Sequence, residues 1–233
     1  PSAYAADPIE HLAEWGRQGV ELSATVNLSA SPFHSDKVST RVHVSRTAAK
    51  ILGHPFLLAN QVGANDDLLF DGCSLIAWPD GQVVIAPAWQ EGVLLVDLDS
   101  PQNCSWIASD SEDSICIGND QIKHLLSDDD GHDDAEHLVE ELADAVVTGL
   151  SDYCRKSGIH SIVLGLSGGI DSAVAACVAA AAVGPENVTA IAMPSRHSSQ
   201  HSIDDAQHTA TALGVNFSIR EIDELHKSVE NSI

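Results

Sequence analysis

Residues 162–172 have the sequence Ile162-Val-Leu-Gly-Leu-Ser-Gly-Gly-Ile-Asp-Ser172. The first five residues predict a short buried strand, which is followed by a glycine-rich loop and an alanine-rich helix. Further along, the pattern predicts a strand at Val188–Met193, a helix at Ser202–Leu213 with Ser202 as its N-cap, and a strand at Val215–Ile219. Strands that alternate with helices in this way are typical of a parallel sheet covered by helices.

The glycine-rich loop has the composition of a phosphate site. At a strand-to-helix junction, backbone N–H groups and the helix dipole can hold an anion. Gly168 and Gly169 allow the backbone to curve closely around phosphates, and the hydroxyls of Ser167 and Ser172 can donate hydrogen bonds. Asp171 has the same charge sign as phosphate and therefore indicates a bridging divalent cation, Mg²⁺. Neither the Walker A lysine nor the GxGxxG pattern is present.

This loop resembles the SGGxDS motif of the N-type ATP pyrophosphatases, which cleave ATP to AMP and pyrophosphate in order to adenylate a substrate. Met193-Pro-Ser-Arg196, followed by Ser198-Ser199 and Asp205-Ala206, is similar to a stretch of the NAD synthetases. The resemblance implies a doubly wound parallel-sheet domain, like the adenine nucleotide alpha hydrolases, of which residues 136–233 would be the N-terminal part. It also implies Mg²⁺ on Asp171 and ATP on a set of nine residues: Gly165, Leu166, Ser167, Gly168, Gly169, Ile170, Asp171, Ser172 and Met193.

The first half of the chain has a mixed pattern of helices and strands. Helices are predicted at Asp7–Arg17 and at Lys37–Leu52, where Gly53 is the stop signal. The predicted strands are Leu22–Leu28, Pro55–Asn60, Cys73–Trp78, Gln82–Ala86 and Val93–Leu98. The turn Pro79-Asp-Gly81 favours a hairpin, and we expect the last three strands to form an antiparallel meander.

Two stretches in this half, Asn27–His34 with Lys37 and residues 60–72, resemble the second half of a nitrilase-type amidase. They are most similar to the glutaminase domain of glutamine-dependent NAD synthetases, which implies the C-terminal half of an α/β sandwich. The resemblance implies that Ser31 and Lys37 hold glutamine. It places the Glu-Lys-Cys catalytic triad before Pro1, so no catalytic residue is expected in this chain. Cys73 is not favoured as a substitute nucleophile.

A short acidic run at residues 127–134 predicts a solvated linker. We therefore expect a partial nitrilase-like domain at residues 1–127, a linker at 128–135 and a partial synthetase domain at 136–233.

The composition excludes several classes of partner. Lys and Arg total 11 against 34 Asp and Glu, a net charge of −23, which disfavours binding to nucleic acid and to anionic membranes. The longest apolar run, Ala173–Val183, is too short to span a bilayer. Five cysteines without a CxxC pair favour reduced thiols in the cytoplasm. His197 and His201 are four residues apart but are expected in a loop, which disfavours a metal site.

The resemblance implies a glutamine-dependent ligase that converts deamido-NAD to NAD. ATP would adenylate the pyridine carboxylate, and ammonia from glutamine would displace AMP, with pyrophosphate and glutamate as further products. Family members form homo-oligomers. Because the chain lacks the triad and ends soon after its third synthetase strand, we expect the fragment itself to be inactive. Two alternatives stay open: another glutamine-using ATP pyrophosphatase ligase, such as a GMP-synthetase-like or tRNA-modifying enzyme, and a vestigial nucleotide-binding protein.

Overall fold

The computed structural model describes residues 7–101, 103–109, 114–116, 134–196 and 198–230. The chain divides into two compact units, Pro1–Leu138 and Val139–Ile233. Most of the predicted linker lies outside the described residues, and its last two residues, 134–135, already belong to a helix. In the described part of the chain, no helix combines the length and the apolar character that a membrane crossing requires.

In its described residues from 7 to 116, the first unit contains two helices and three small sheets. Its elements are α1 (Pro8–Arg17), β1 (Thr25–Ser29), α2 (Lys37–Leu52), β2 (Phe56–Asn60), β3 (Val62–Asn65), β4 (Leu68–Asp71), β5 (Leu75–Ala77), β6 (Val83–Ile85), β7 (Gly92–Val96), β8 (Cys104–Ala108) and β9 (Ser114–Cys116). One sheet has the order β1-β2-β5-β6, with β1 and β2 parallel and the other pairs antiparallel. The strands β3 and β4 form a hairpin, and β7-β8-β9 form a third, antiparallel sheet.

Local signals define both helices of this unit. The side chain of Asp7 accepts a hydrogen bond of 2.9 Å from the N–H of Ile9 at the start of α1. Gly53 ends α2 with a φ of 75°, as predicted from the glycine. Residues on one face of α2, among them Val42 and Ala49, are buried against Phe56 and Leu75 of the first sheet. This packing fixes α2 on the sheet.

Two strand predictions need correction. The hairpin of β5 and β6 is confirmed, with a 3.0 Å hydrogen bond from the N–H of Gly81 to the carbonyl oxygen of Trp78. The predicted meander is wrong, because β7 pairs with β8 and not with β6. In this pairing Gly92 lies opposite Ala108. The first strand begins at Thr25 rather than Leu22, because its parallel pairing with β2 begins at Thr25 opposite Phe56. In both cases the pairing with a neighbouring strand of the sheet set the outcome.

The second unit has the predicted alternation of helices and strands. Its elements are α3 (Asp134–Ser157), which begins before the boundary between the units, β10 (Ile162–Gly165), α4 (Ile170–Val183), β11 (Val188–Ala192), α5 (Gln200–Leu213), β12 (Asn216–Ile219) and α6 (Asp223–Glu230). The strand order is β10-β11-β12, and both pairings are parallel, which confirms the prediction. Alanines on α4 and α5 are buried among the apolar side chains of the sheet, so both helices approach the strands closely.

The N-cap of α5 differs from the prediction. The helix begins at Gln200, and Ser199 is the N-cap rather than Ser202. The N–H of Ser202 donates to Oγ of Ser199 at 3.1 Å, and the two hydroxyl oxygens lie 2.8 Å apart. Because the two serines are three residues apart, the sequence fits a cap at either one.

We expect Ser199→Ala to lower the free energy of unfolding by about 1 kcal/mol, because it leaves the N–H of Ser202 without its acceptor. The matched variant Ser202→Ala removes no cap and should cost less than about half of that amount. Urea unfolding of the two variants measures both values. A larger loss for Ser202→Ala would contradict the assignment of the cap.

Candidate functional site

The glycine-rich loop lies at the carboxyl edge of the parallel sheet. It follows β10 directly, and the N–H of Leu166 donates to the carbonyl oxygen of Ile191 on β11 at 2.9 Å. In open parallel sheets, ligands bind outside the carboxyl ends of the strands, where the loops lead into the helices. The loop therefore has the location of a ligand site in this class of fold.

Two serine hydroxyls hold the loop from inside. Oγ of Ser172 donates to the carbonyl oxygen of Gly169 at 2.9 Å and accepts from the N–H of Ser167 at 3.2 Å. Oγ of Ser167 lies 3.0 Å from Oγ of Ser172 and accepts from the N–H of Gly169 at 3.2 Å. The proton of Ser172 is thus used on Gly169, and that of Ser167 is directed to Ser172. Backbone N–H groups are left as the donors that the loop offers to a ligand.

Gly168 brings the loop against the first turn of α5. It has a φ of 81°, a conformation that L side chains rarely adopt. A Cβ atom at this position would overlap the carbonyl oxygen of Ser202. Only glycine satisfies both the backbone conformation and this close approach.

The loop ends at the N-terminus of α4, which has the properties of an anion site. Gly169 is the N-cap, with extended backbone angles, and Asp171 lies exposed in the first turn. The first N–H groups of a helix have no partner within it and carry the positive end of the helix dipole. Both features favour a phosphate at this point.

Asp171 fits Mg²⁺ that is shared with a phosphate ligand. In the part of the chain that the structure describes, no group of three or more His, Cys, Asp or Glu side chains could hold a metal by itself. Mg²⁺ is commonly held by one or two carboxylates, with phosphate oxygens and water as the other ligands. A single exposed carboxylate beside a phosphate-binding helix terminus matches that donor set.

A cavity of about 250 Å³ adjoins the first part of the loop. It is lined by Gly165, Leu166, Ser167, Ile191, Ala192, Met193, Pro194, Ser198, Ser202 and Ile203. Four of the nine residues predicted to bind ATP thus line one cavity, and the remaining five, from Gly168 to Ser172, are not part of its lining. The mixture of apolar walls and serines suits a flat base next to a phosphate site.

Sequence reasoning missed the contribution of α5 to this cavity. Ser202 and Ile203 line it from the first turn of the helix. The available signal was topological, because α5 follows β11 and so begins at the same edge of the sheet as the loop.

His201 lies in α5 and not in a loop, which corrects the prediction. Its Nδ1 lies 2.7 Å from a carboxylate oxygen of Asp205, one turn further along the helix. The hydrogen bond with Asp205 raises the pKa of His201 above its ordinary value. The pairing is therefore complete below the ordinary pKa and is lost as the pH rises through the raised one. His197 lies outside the described residues.

In the first unit, Ser31 is held by hydrogen bonds in the loop before α2. Its N–H donates to Oδ1 of Asn60 at 2.9 Å, and Nε of Arg41 donates to its hydroxyl oxygen at 3.3 Å. Lys37 is the first residue of α2, is partly exposed, and lies one turn before Arg41 on the same face of the helix. The structure thus connects Ser31 to Arg41, a residue that the sequence analysis did not single out.

Cys73 and Cys104 are both buried and lack the exposure that is typical of a nucleophile. Cys73 is buried beside the turn after β4. Cys104 is buried and donates to the carbonyl oxygen of Pro101 at 3.1 Å. Burial, and then the charge of Asp97, raise the pKa of the Cys104 thiol. A raised pKa lowers the fraction of reactive thiolate.

Comparison with known proteins assigns each half of the chain to a protein family. Residues 10–108 match the carbon-nitrogen hydrolase family, and residues 128–233 match the NAD synthase family. Single proteins align with both halves. A glutamine-dependent NAD(+) synthetase from Rhodobacter capsulatus is 38% identical over 206 residues, covering 88% of this chain and 34% of that protein. One from Thermotoga maritima is 36% identical over 239 residues, covering 96% of this chain and 41% of that protein.

Along both halves the chain is similar to glutamine-dependent NAD(+) synthetases. It spans between about a third and two fifths of the length of these curated relatives. The structure of the glutamine-dependent NAD(+) synthetase from Acinetobacter baumannii, in complex with ADP, matches 96% of this chain with a TM-score of 0.72 and 29% identity. The match covers 38% of that chain. The mixed α/β fold predicted from the sequence is that of glutamine-dependent NAD(+) synthetases.

Proposed function

We propose that the complete protein carrying this chain is an ATP-dependent ligase that amidates deamido-NAD to NAD with nitrogen from glutamine. The observation that carries the proposal is the loop at residues 165–172, which has a self-supporting conformation at the carboxyl edge of a parallel sheet. The relatives that span both halves of the chain are named for this activity. ATP use is supported further by the ADP held in the Acinetobacter baumannii structure.

In this proposal the loop binds the phosphates of ATP through its backbone. The free N–H groups at the start of α4 bind phosphate oxygens, and Gly168 allows the backbone to approach them. The adjoining cavity receives the adenine, with Met193 as one of its walls. We keep all nine predicted residues, Gly165–Ser172 and Met193, as the proposed ATP site.

The chemistry follows from which bonds break and form. A carboxylate oxygen of deamido-NAD attacks the α-phosphorus of ATP, and the bond to pyrophosphate breaks. Ammonia then attacks the adenylated carboxyl carbon and AMP leaves. Fixed N–H donors at the loop stabilise the negative charge that develops on the phosphate oxygens. Asp171 would hold Mg²⁺, which when bound supplies further positive charge to the departing pyrophosphate.

We propose that the first unit contributes to glutamine binding through Ser31 and Lys37. A hydroxyl and an ammonium group suit the carboxylate of a zwitterionic amino acid. We further propose a cytoplasmic homo-oligomer that acts on small molecules, as the resemblance implies.

The proposal is tested by expressing the complete protein and measuring NAD formation from deamido-NAD and ATP. Glutamine and ammonium are supplied in parallel reactions, and AMP and pyrophosphate are quantified. We expect NAD from both nitrogen sources, with AMP and pyrophosphate formed in equal amounts. ATP binding without NAD from either source would reject deamido-NAD as the substrate. Release of ADP and phosphate instead would reject the adenylation chemistry.

A further inference from the structure

A buried ion pair joins α2 to the end of β4 in the first unit. Nη1 and Nη2 of Arg41 donate to the two carboxylate oxygens of Asp71 at 2.8 Å and 2.7 Å. The side chains are 4% and 1% exposed. Two ions lose most of their hydration in such a place, and a pair of apolar residues of similar size is often at least as stable. The pair therefore explains little of the stability of the fold, and the other contacts of the guanidinium are the informative ones.

The remaining hydrogen bonds of Arg41 go to Ser31 and Gly72. Its Nε donates to Oγ of Ser31 at 3.3 Å, and its Nη2 donates to the carbonyl oxygen of Ser31 at 3.3 Å. Nη1 also donates to the carbonyl oxygen of Gly72 at 3.4 Å. The guanidinium thus contacts both the backbone and the side chain of Ser31.

Asn60 is hydrogen-bonded to the same two residues, Ser31 and Gly72. Its Oδ1 accepts the N–H of Ser31 at 2.9 Å, and its Nδ2 donates to the carbonyl oxygen of Gly72 at 2.9 Å. The N–H and the carbonyl group of Ser31 are therefore both engaged by buried or half-buried side chains. The hydroxyl proton of Ser31 is the donor of this residue that stays available to a ligand.

The direction of the hydrogen bond at Ser31 has a chemical consequence. A guanidinium only donates, so Oγ of Ser31 must accept from Arg41, and the hydroxyl proton has to point elsewhere. The charge of Arg41 is balanced by Asp71, so Arg41 offers no unpaired charge to an anionic ligand; Lys37 is a further cation one turn earlier on α2. The arrangement presents one oriented hydroxyl donor, in a loop held by the same helix that Lys37 begins.

We propose that Arg41, held by Asp71, is a positioning residue that makes Ser31 a hydrogen-bond donor to the α-carboxylate of glutamine. This inference rests on the function proposed above. Arg41 does not touch the substrate in this arrangement, because its donors are used on Asp71, Ser31 and Gly72.

The test uses the complete protein and steady-state NAD formation, with deamido-NAD and ATP saturating and either glutamine or ammonium varied. The variants are Ser31→Ala, Arg41→Lys, Asp71→Asn and the double variant Ser31→Ala/Arg41→Lys. Arg46→Lys is the matched control, since it makes the same exchange on the same helix. We expect Ser31→Ala, Arg41→Lys and Asp71→Asn each to raise the KM for glutamine roughly ten-fold, with kcat changed by less than about two-fold.

The double variant shows whether Arg41 affects the KM for glutamine through Ser31 or independently of it. If Arg41 acts through Ser31, Ser31→Ala/Arg41→Lys has the same KM for glutamine as Ser31→Ala alone. Multiplied effects in the double variant, or an unchanged KM in Ser31→Ala, would overturn the inference. Equal losses with glutamine and with ammonium would show that the pair only maintains the fold, which also overturns it. If the unmutated protein makes NAD from ammonium but not from glutamine, it is the proposed use of glutamine that fails.

Discussion

Asp171→Ala abolishes ATP–pyrophosphate exchange, by our expectation a loss of about a thousand-fold or more, while the protein stays folded. Asp171 is exposed in the first turn of α4, so removing its side chain leaves no cavity and no unpaired buried group. What is lost is the carboxylate that would hold Mg²⁺ against the phosphates. Exchange of labelled pyrophosphate into ATP, with deamido-NAD present, reports the adenylation step alone.

The control for Asp171→Ala is a variant that removes a negative charge at another exposed position of the second unit. Asp171→Asn keeps the size of the side chain, and Glu186→Gln makes the equivalent exchange at an exposed carboxylate beyond the far end of α4. We expect Asp171→Asn to behave like Asp171→Ala and Glu186→Gln to behave like the unmutated protein. Normal exchange in Asp171→Ala would remove the proposed role in metal binding.

Gly168→Ala should both destabilise the protein and abolish its binding of ATP. The new methyl group would overlap the carbonyl oxygen of Ser202, and the φ of 81° is itself unfavourable for alanine. The backbone conformation costs about 1–2 kcal/mol, and relieving the overlap by moving α5 adds about 1–3 kcal/mol. Any such movement also displaces Ser202 and Ile203 from the cavity wall.

Gly158→Ala isolates the steric part of this effect. Gly158 follows α3 with a φ of 67°, and a Cβ there would have no atom within 4 Å. Both variants therefore carry a positive φ, but only Gly168→Ala carries the overlap. Thermal unfolding and equilibrium binding of ATP are measured for the two. Equal melting temperatures with ATP binding retained would show that the contact with Ser202 is unimportant.

The second unit could be predicted well because its signals are local. The apolar run before the loop, the glycines within it and the alanines after it predict a strand, a turn and a helix within some twenty residues. The helices predicted between successive strands then indicate parallel pairing, because parallel strands are joined by crossover connections that are usually helical. The prediction of the α5 N-cap was wrong for an equally local reason, because Ser199 and Ser202 are both residues of a capping type with suitable spacing.

The first unit was harder because its decisive contacts join distant parts of the chain. Arg41 and Asp71 are 30 residues apart, and neither has a neighbour in sequence that indicates the other. The partner of β7 was ambiguous for a different reason, because β8 follows it in the chain and β6 precedes it at a similar distance. The resemblance to amidases indicated Ser31 and Lys37 but gave no reason for the orientation of the hydroxyl.

The serine pair inside the glycine-rich loop has a thermodynamic consequence. Because Ser167 and Ser172 hold the loop through hydrogen bonds to each other and to Gly169, the conformational entropy of this segment is lost during folding. A nucleotide then meets a rigid surface and has no loop to order. Its association should be limited by diffusion and orientation rather than by a slow rearrangement of the protein.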